Sequence, residues 1–286
     1  MSYLDRIAAC HRWDPDAYRP FVIDGVVVGR VGHGFARRLS DFAPVFEVHD
    51  HAVSLAPALG HAEARSAAAA EVLLRLKEDG EIPLWRDELY PVVRRWGEPP
   101  FMTLERAAVP LFGVRGFGVH LNGIVEGPDG RHLWVARRAA TKQTAPGKLD
   151  HLVAGGQPHG LGIMENLIKE CAEEAGMERA LAARAVPVGL VSYRCAREEG
   201  LRDDVLFCFD LALPADFVPR NTDGEVESFE LWAMDRVMET IRETDDFKFN
   251  VNLVILDFAV RRGLLRPDAL DYQAICDGLR LPAPVA

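Results

Sequence analysis

Apolar and polar positions along the chain change rhythm near residue 118. Before that point, β-branched and aromatic residues cluster around Gly and Asp in residues 21–31 and 45–55, as strands joined by turns would. Residues 61–77 set Ala, Leu and Val at helical spacing among Glu and Arg, which predicts an amphipathic helix. Residues 85–96 resume a helical pattern that Gly97-Glu98-Pro99-Pro100 breaks. From Val119 onward short strands take over. Residues 120–125 and 132–136 face each other across the turn sequence Gly127-Pro128-Asp129-Gly130. Residues 149–154 predict a short strand running into Gly155-Gly156. A helix is expected over 163–175, with Gly176 placed for a left-handed cap. Residues 186–193 and 205–213 read as a hairpin with the charged stretch 197–204 as its loop, and 225–234 as another strand. Helices are expected over 235–242, 250–263 and 267–279.

Strands interrupted by helices in this order predict an α/β fold, a mixed sheet sandwiched between helices, preceded by a smaller α+β unit. The glycines at 113, 116 and 118 set the boundary near residues 112–118, which divides the chain into 1–115 and 116–286. At 286 residues the chain is long enough for two cores of this size.

Composition narrows the function. A net charge of −10 argues against general nucleic-acid binding, which rests on many Lys and Arg contacts to phosphates. It leaves open a small anionic ligand in a locally basic or metal-bearing cleft. No stretch approaches the ~18 unbroken apolar residues of a membrane span; the best, 251–260, is interrupted by Asn252 and Asp257. Residues 1–13 lack a basic region followed by an apolar run, so no secretory signal is read there. The five cysteines are scattered and odd in number, which favours reduced, packed thiols. A cytoplasmic location is expected.

The chemistry concentrates in Gly155 to Met177. On a helix Glu170 and Glu174 project from one face, Glu173 stands beside them, and Glu165 sits more than a turn earlier. Like charges at that spacing cost ~0.2–0.5 kcal/mol per pair, and carboxylates near a helix C-terminus oppose its dipole. Lys169 offsets part of this. A divalent cation would turn the liability into a site, since Mg²⁺ prefers oxygen ligands and bridges carboxylates to phosphates. Glycine at 155 lets the backbone come close enough for its carbonyl to join the ligand set. A solvated acidic helix face is the alternative for the glutamates alone; the flanking Gly-Gly and Gly176 count against it.

The ordered set Gly-Gly, helix, Lys-Glu-x-x-Glu-Glu-x-Gly resembles the Nudix box, G-x5-E-x7-R-E-U-x-E-E-x-G-U, with U a bulky apolar residue. Gly155, Glu170, Cys171, Glu173, Glu174, Gly176 and Met177 fall on box positions. Leu161 occupies the place of the first box glutamate and Lys169 that of the arginine, which keeps the charge and loses the bidentate fork. The first departure leaves the number of metals open; Glu165 is a possible substitute. The resemblance implies the Nudix α/β/α sandwich and a Mg²⁺-dependent (or Mn²⁺-dependent) hydrolase of a diphosphate linkage. It implies Glu170 and Glu174 as metal ligands, Glu173 as a further ligand or the base that activates water, and Lys169 as the orienting charge. Glu225 and Glu227 are candidates for a further acid.

Leu133-Trp134-Val135-Ala136-Arg137-Arg138, Lys142, Pro146-Gly147-Lys148-Leu149-Asp150 and Ala154-Gly155-Gly156-Gln157-Pro158 resemble, more narrowly, the Nudix proteins related to thiamine-pyrophosphokinase-like chains. Those carry an extra N-terminal domain. They are implied to convert damaged (oxo or oxy) thiamine diphosphates to monophosphates. Arg137, Arg138, Lys142, Lys148 and Gln157 are the candidate substrate contacts, Arg being able to grip phosphate bidentately. His159 is a weaker one, and Cys171, Trp134 and Trp232 read as core. An ADP-ribose or nucleoside-diphosphate hydrolase shares the metal chemistry. An isopentenyl-diphosphate isomerase needs a Cys/Glu pair that the chain does not offer convincingly. A non-catalytic ligand sensor would have lost the glutamates that this chain keeps. A small-molecule diphosphate is the expected partner, and a homodimer is expected by analogy.

Overall fold

In the computed structural model, which describes residues 2–82, 84–142 and 144–281, the change of rhythm near residue 118 separates two sheets. The first part opens with helix α1 (Tyr3–Ala9), capped by Ser2 and Asp5 in a reciprocal box. Strands β1 (Tyr18–Ile23) and β2 (Val26–Gly32) form a hairpin; helix α2 (His33–Leu39), strands β3 (Phe46–Val48) and β4 (Val53–Leu55) and helix α3 (Ala62–Glu78) follow. The sheet order is β2-β1-β4-β3, with β1 and β4 parallel. Its apolar face, α3 and a ribbon of β5 (Leu89–Val92) and β6 (Met102–Glu105) enclose one core around Phe21, Phe46 and Leu73.

That ribbon corrects the helix expected over 85–96. Pro91 would remove a helical hydrogen bond and clash with the preceding turn, whereas in β5 it sits opposite Thr103 in an antiparallel pair.

Helix α4 (Val109–Phe112) leads into the second part. Its strands are β7 (Arg115–Gly127), β8 (Gly130–Arg138), β9 (Leu149–Asp150), β10 (Val153–Gly156), β11 (Val186–Arg197), β12 (Gly200–Ala212) and β13 (Val226–Ala233). Helices α5 (Ile163–Ala175) and α6 (Arg179–Ala182) lie between β10 and β11, and α7 (Met234–Glu243), α8 (Val251–Arg261) and α9 (Tyr272–Gly278) close the chain. The sheet is mixed: β11-β12-β7-β8-β13, with β7 and β12 parallel, β10 on the first half of β7 and β9 on the end of β8. Residues 149–154, expected as one strand, are thus two short ones on different partners. The hairpin loop shrinks to Glu198 and Glu199, because the charges of 202–204 are paired within the sheet: Asp203 with Arg194 and Arg115, Asp204 with Arg202.

Strand alternation divides the core as period-2 patterning requires. Val119, Leu121, Phe209 and Leu211 pack under α5, and Leu206, Cys208, Leu133 and Val135 face α7, α8 and α9. Helices on both faces of a mixed sheet make the expected α/β/α sandwich. Helix α1 packs on α7, α8 and α9 rather than on the sheet that follows it in sequence, Ile7 and Cys10 entering their core.

Candidate active site

Helix α5 begins after Gly162 and ends at Gly176, whose φ of 60° is the left-handed cap expected there. Leu167, Ile168 and Cys171 bury its apolar stripe, and burial pushes the Cys171 thiol up to about 12, consistent with a core side chain. That seating turns Glu170 and Glu174 toward β10. Glu174 accepts a hydrogen bond from the Ala154 N–H at 2.8 Å, and the Glu170 carboxyl lies against Gly155.

The two glycines have separate reasons. A Cβ on Gly155 would stand 2.3 Å from Cδ of Glu170, and one on Gly156 would overlap the hydroxyl of Tyr90 from β5. The strand is therefore gripped between the Glu170 carboxylate and a side chain of the first part. Asn166 of α5 donates to the Gly156 carbonyl at 2.7 Å. We predict that Gly155→Ala folds, since only the end of a flexible side chain must yield, but loses on the order of 100-fold in kcat/KM through displacement of Glu170. Steady-state kinetics beside a thermal melt checks both halves.

Burial raises the proton affinity of Glu170, against the opposing charge of Lys169, and that of Glu174 to about 8. Glu174 has no ion-pair partner among the described residues, and its neighbour Glu170 adds repulsion. Two desolvated carboxylates on one strand of glycines are a donor set that a hard divalent cation fits. Glu173 is half exposed and paired with Lys169 at 2.6 Å, and Lys169 also reaches Glu170 at 3.3 Å.

Across the cleft stands a basic wall. Arg138 and Lys142 reach it, the first buried against Asp150 at 2.7 Å, the second paired with Glu225. Three expected contacts do not line the cleft. Arg137 donates to the Gly147 carbonyl, partly buried Lys148 to that of Asp245, and fully buried Gln157 to that of Leu161, so each is turned to the loops around it. Glu165 and Glu227 are exposed and outside the cleft lining. His159 is held through its backbone N–H by the Leu89 carbonyl. Trp134 and Trp232 pack on the core, as read.

The cleft also contains residues that the sequence reading missed. Arg86, Glu88, Tyr90 and Arg106 come from the first part, and Arg202, Lys248 and Asn250 from β12 and the approach to α8. Beside the glycine strand lies a recess of about 150 Å³ in which Tyr90, Val109, Phe117 and Leu206 meet the charged Arg106, Arg202 and Asp204.

His120, Asp150 and His151 offer ligand atoms within 4.8 Å of one another beneath this recess. They do not fit a cation. The two imidazoles bond to each other at 3.0 Å, and Asp150 already faces Arg138 and Lys248, at 2.7 and 3.7 Å. Burial would raise the Asp150 pKa, but Lys248 and Arg138 hold it well below the usual range. Burial also lowers His151 to about 4 and His120 well below its ordinary value. Both are therefore neutral when folded, whereas an unfolded histidine protonates near 6.5. As pH falls from 6.5 toward 4 the unfolded state binds more protons, and stability is lost over that window. We predict a loss on the order of 5 kcal/mol between pH 7 and 4.5, about half from each histidine, read from urea midpoints and roughly halved in His151→Asn.

Comparison with known proteins gives the family. Residues 2–116 match the family described as Domain of unknown function (DUF4743). Two chloroplastic proteins of Arabidopsis thaliana, Nudix hydrolase 24 and Nudix hydrolase 20, are each 44% identical, over 98% of this chain and 78% of theirs. Among solved structures, the Nudix domain of Shewanella oneidensis NrtR, complexed with ADP ribose, is 11% identical. It covers 54% of this chain and 91% of its own, with a TM-score of 0.42. With identity at that level running through both parts of the chain, and the acidic helix seated on its glycine strand, this protein belongs to the Nudix hydrolases, pyrophosphohydrolases that act on phosphoric anhydrides.

Proposed function

We propose that the chain hydrolyses the diphosphate linkage of a small organic diphosphate with Mg²⁺, or Mn²⁺ in its place, and that damaged thiamine diphosphates are the substrate class. The observation that carries the reaction is the pair Glu170 and Glu174, desolvated against Gly155 and facing a wall of Arg and Lys. Glu170, Glu174 and the Gly155 carbonyl would hold the cation, with Glu173 at its edge and Glu225 across the cleft. When bound, the cation neutralises phosphate charge and lowers the pKa of water. Lys169 bridges Glu173 and Glu170, and Glu173, half exposed, would serve as a further ligand or take the proton of the attacking water. Arg138 and Lys142 present positive charge to the phosphates, whose transition state spreads charge over its outer oxygens.

The organic group enters the recess beside Gly155 and Gly156. A cavity of about 150 Å³ has room for one ring. Past Leu84, Ala107 and Thr144 it joins a groove that reaches Leu111 and Phe249, which would take the rest of a two-ring compound. Residues 1–115 and 116–286 are, in this reading, two units that share one cleft. Five free cysteines, four of them buried, suit a reducing compartment, here the cytoplasm. No helix among the described residues is long and apolar enough to cross a membrane.

The test is product release from a panel of thiamine diphosphate, oxythiamine diphosphate, ADP-ribose and dinucleoside polyphosphates, with Mg²⁺ or with EDTA. Metal-dependent cleavage that favours oxythiamine diphosphate supports the proposal. Preference for ADP-ribose or a dinucleotide keeps the reaction and overturns the substrate class, and binding without turnover overturns the reaction.

A further inference from the structure

Seven basic side chains line the charged part of the cleft, in a chain whose net charge is −10. Six of them stand within ion-pair distance of a carboxylate: Arg106 with Glu88, Arg138 and Lys248 with Asp150, Lys142 with Glu225, Lys169 with Glu173 and Arg202 with Asp204. Arg86 is the exception. It is solvent-exposed, and among the described residues its guanidinium makes no ion pair or hydrogen bond, although it lines both the charged cleft and the recess beside it.

Its backbone, by contrast, is fixed. Glu105, at the end of β6, is buried, and its carboxylate accepts the N–H groups of Arg86 at 2.8 Å, Glu88 at 3.2 Å and Ala107 at 3.3 Å. One buried anion thus ties together the two chain segments that carry Arg86 and Arg106. Arg106 is held in turn by Glu88 and lies over the Tyr90 ring, with Nη2 3.1 Å from where a Cβ of Gly156 would be. This is a rigid support for a cation left without a partner, opposite the carboxylates on α5. Arg binds phosphate bidentately, and the directional fork rewards a fixed mount.

We propose that Arg86 is the anchor for a substrate phosphate, so that residues 2–116 complete the catalytic cleft of the sandwich. The inference rests on the diphosphate-hydrolase reading above. It gives the family of unknown function matched by those residues a task, which is to supply an arginine without an ion pair, where the sandwich's own Arg138 and Arg202 are each held by a carboxylate. Arg106 and Glu105 are positioning residues for it.

The test measures binding of methylenediphosphonate, whose P–C–P link cannot be hydrolysed, by titration calorimetry in Mg²⁺. Wild type, Arg86→Gln and Arg86→Lys are compared. Arg86→Gln is expected to weaken binding about tenfold and to raise KM by a similar factor with kcat little changed, while its thermal melt stays that of wild type. Arg86→Lys, which keeps charge and loses the fork, should fall between. Arg86→Gln that binds the diphosphonate as tightly as wild type overturns the anchor, as does a wild type that does not bind it. Because the probe is inert, a protein that turns over no substrate still gives this result, and failure of the hydrolase reading is told apart from failure of the anchor.

Discussion

Glu174→Gln is expected to lower kcat/KM by about a thousandfold, the scale of several kcal/mol of lost metal-assisted stabilisation. The carboxylate it replaces is buried, accepts the Ala154 N–H and has its pKa raised to about 8 by that burial, so in the absence of a cation it is held at a cost. Glutamine keeps the shape and the hydrogen bond and removes the charge. The variant should therefore melt no lower than wild type in EDTA. Mg²⁺ should raise the melting temperature of wild type, because it binds the folded chain, and should leave the variant where it was. The melting experiment reads the metal site independently of turnover. A variant that keeps more than about a tenth of wild-type kcat/KM, or one that Mg²⁺ stabilises equally, removes Glu174 from the ligand set.

The second large effect is on stability. Asp150→Ala should cost about 3–5 kcal/mol, the penalty for leaving buried charge without its partner. Asp150 sits at the end of β9 with Arg138 at 2.7 Å and Lys248 at 3.7 Å, and its Oδ1 accepts the His151 N–H. Without it, two cations and the neutral histidine pair share one desolvated pocket. Replacing Arg138 by methionine in the same chain should recover part of the loss, since a buried pair exchanged whole for apolar groups is close to neutral. Equilibrium unfolding in urea of the three proteins gives the comparison. A single variant within 1 kcal/mol of wild type would show that Asp150 is not the keystone of the network beneath the cleft.

The fold was legible where it depends on short-range pattern. The alternation of β7, the turn 127–130, the period of α5 and the cap at Gly176 all express local backbone and side-chain periodicity. Where a competing rule operates, local pattern misled. Residues 85–96 have helical spacing, yet Pro91 and the pairing partner at 102–105 make them a strand. Residues 202–204 look like a charged loop, yet ion pairs across the sheet hold them in β12. Arg137, Lys148 and Gln157 stand close to the box in sequence and still miss the cleft, because a strand turns alternate side chains to opposite faces and loop carbonyls take up the rest.

By itself the sequence determined the acidic half of the site. Glu170, Glu173 and Glu174 on a helix behind two glycines form a local arrangement, written in spacing and punctuation that survive without any knowledge of what packs nearby. Arg138 and Lys142 of the basic half were legible too, and the tertiary structure decided the rest. Arg86, Arg106, Arg202 and Lys248 come from segments far apart in the chain; the sandwich brings Arg202 and Lys248 together, and the packing of Tyr90 and Arg106 on Gly156 adds the residues of the first part. The physical reason is that the three glutamates follow one another on a single helix, whereas basic side chains can reach the cleft from any element folded against it.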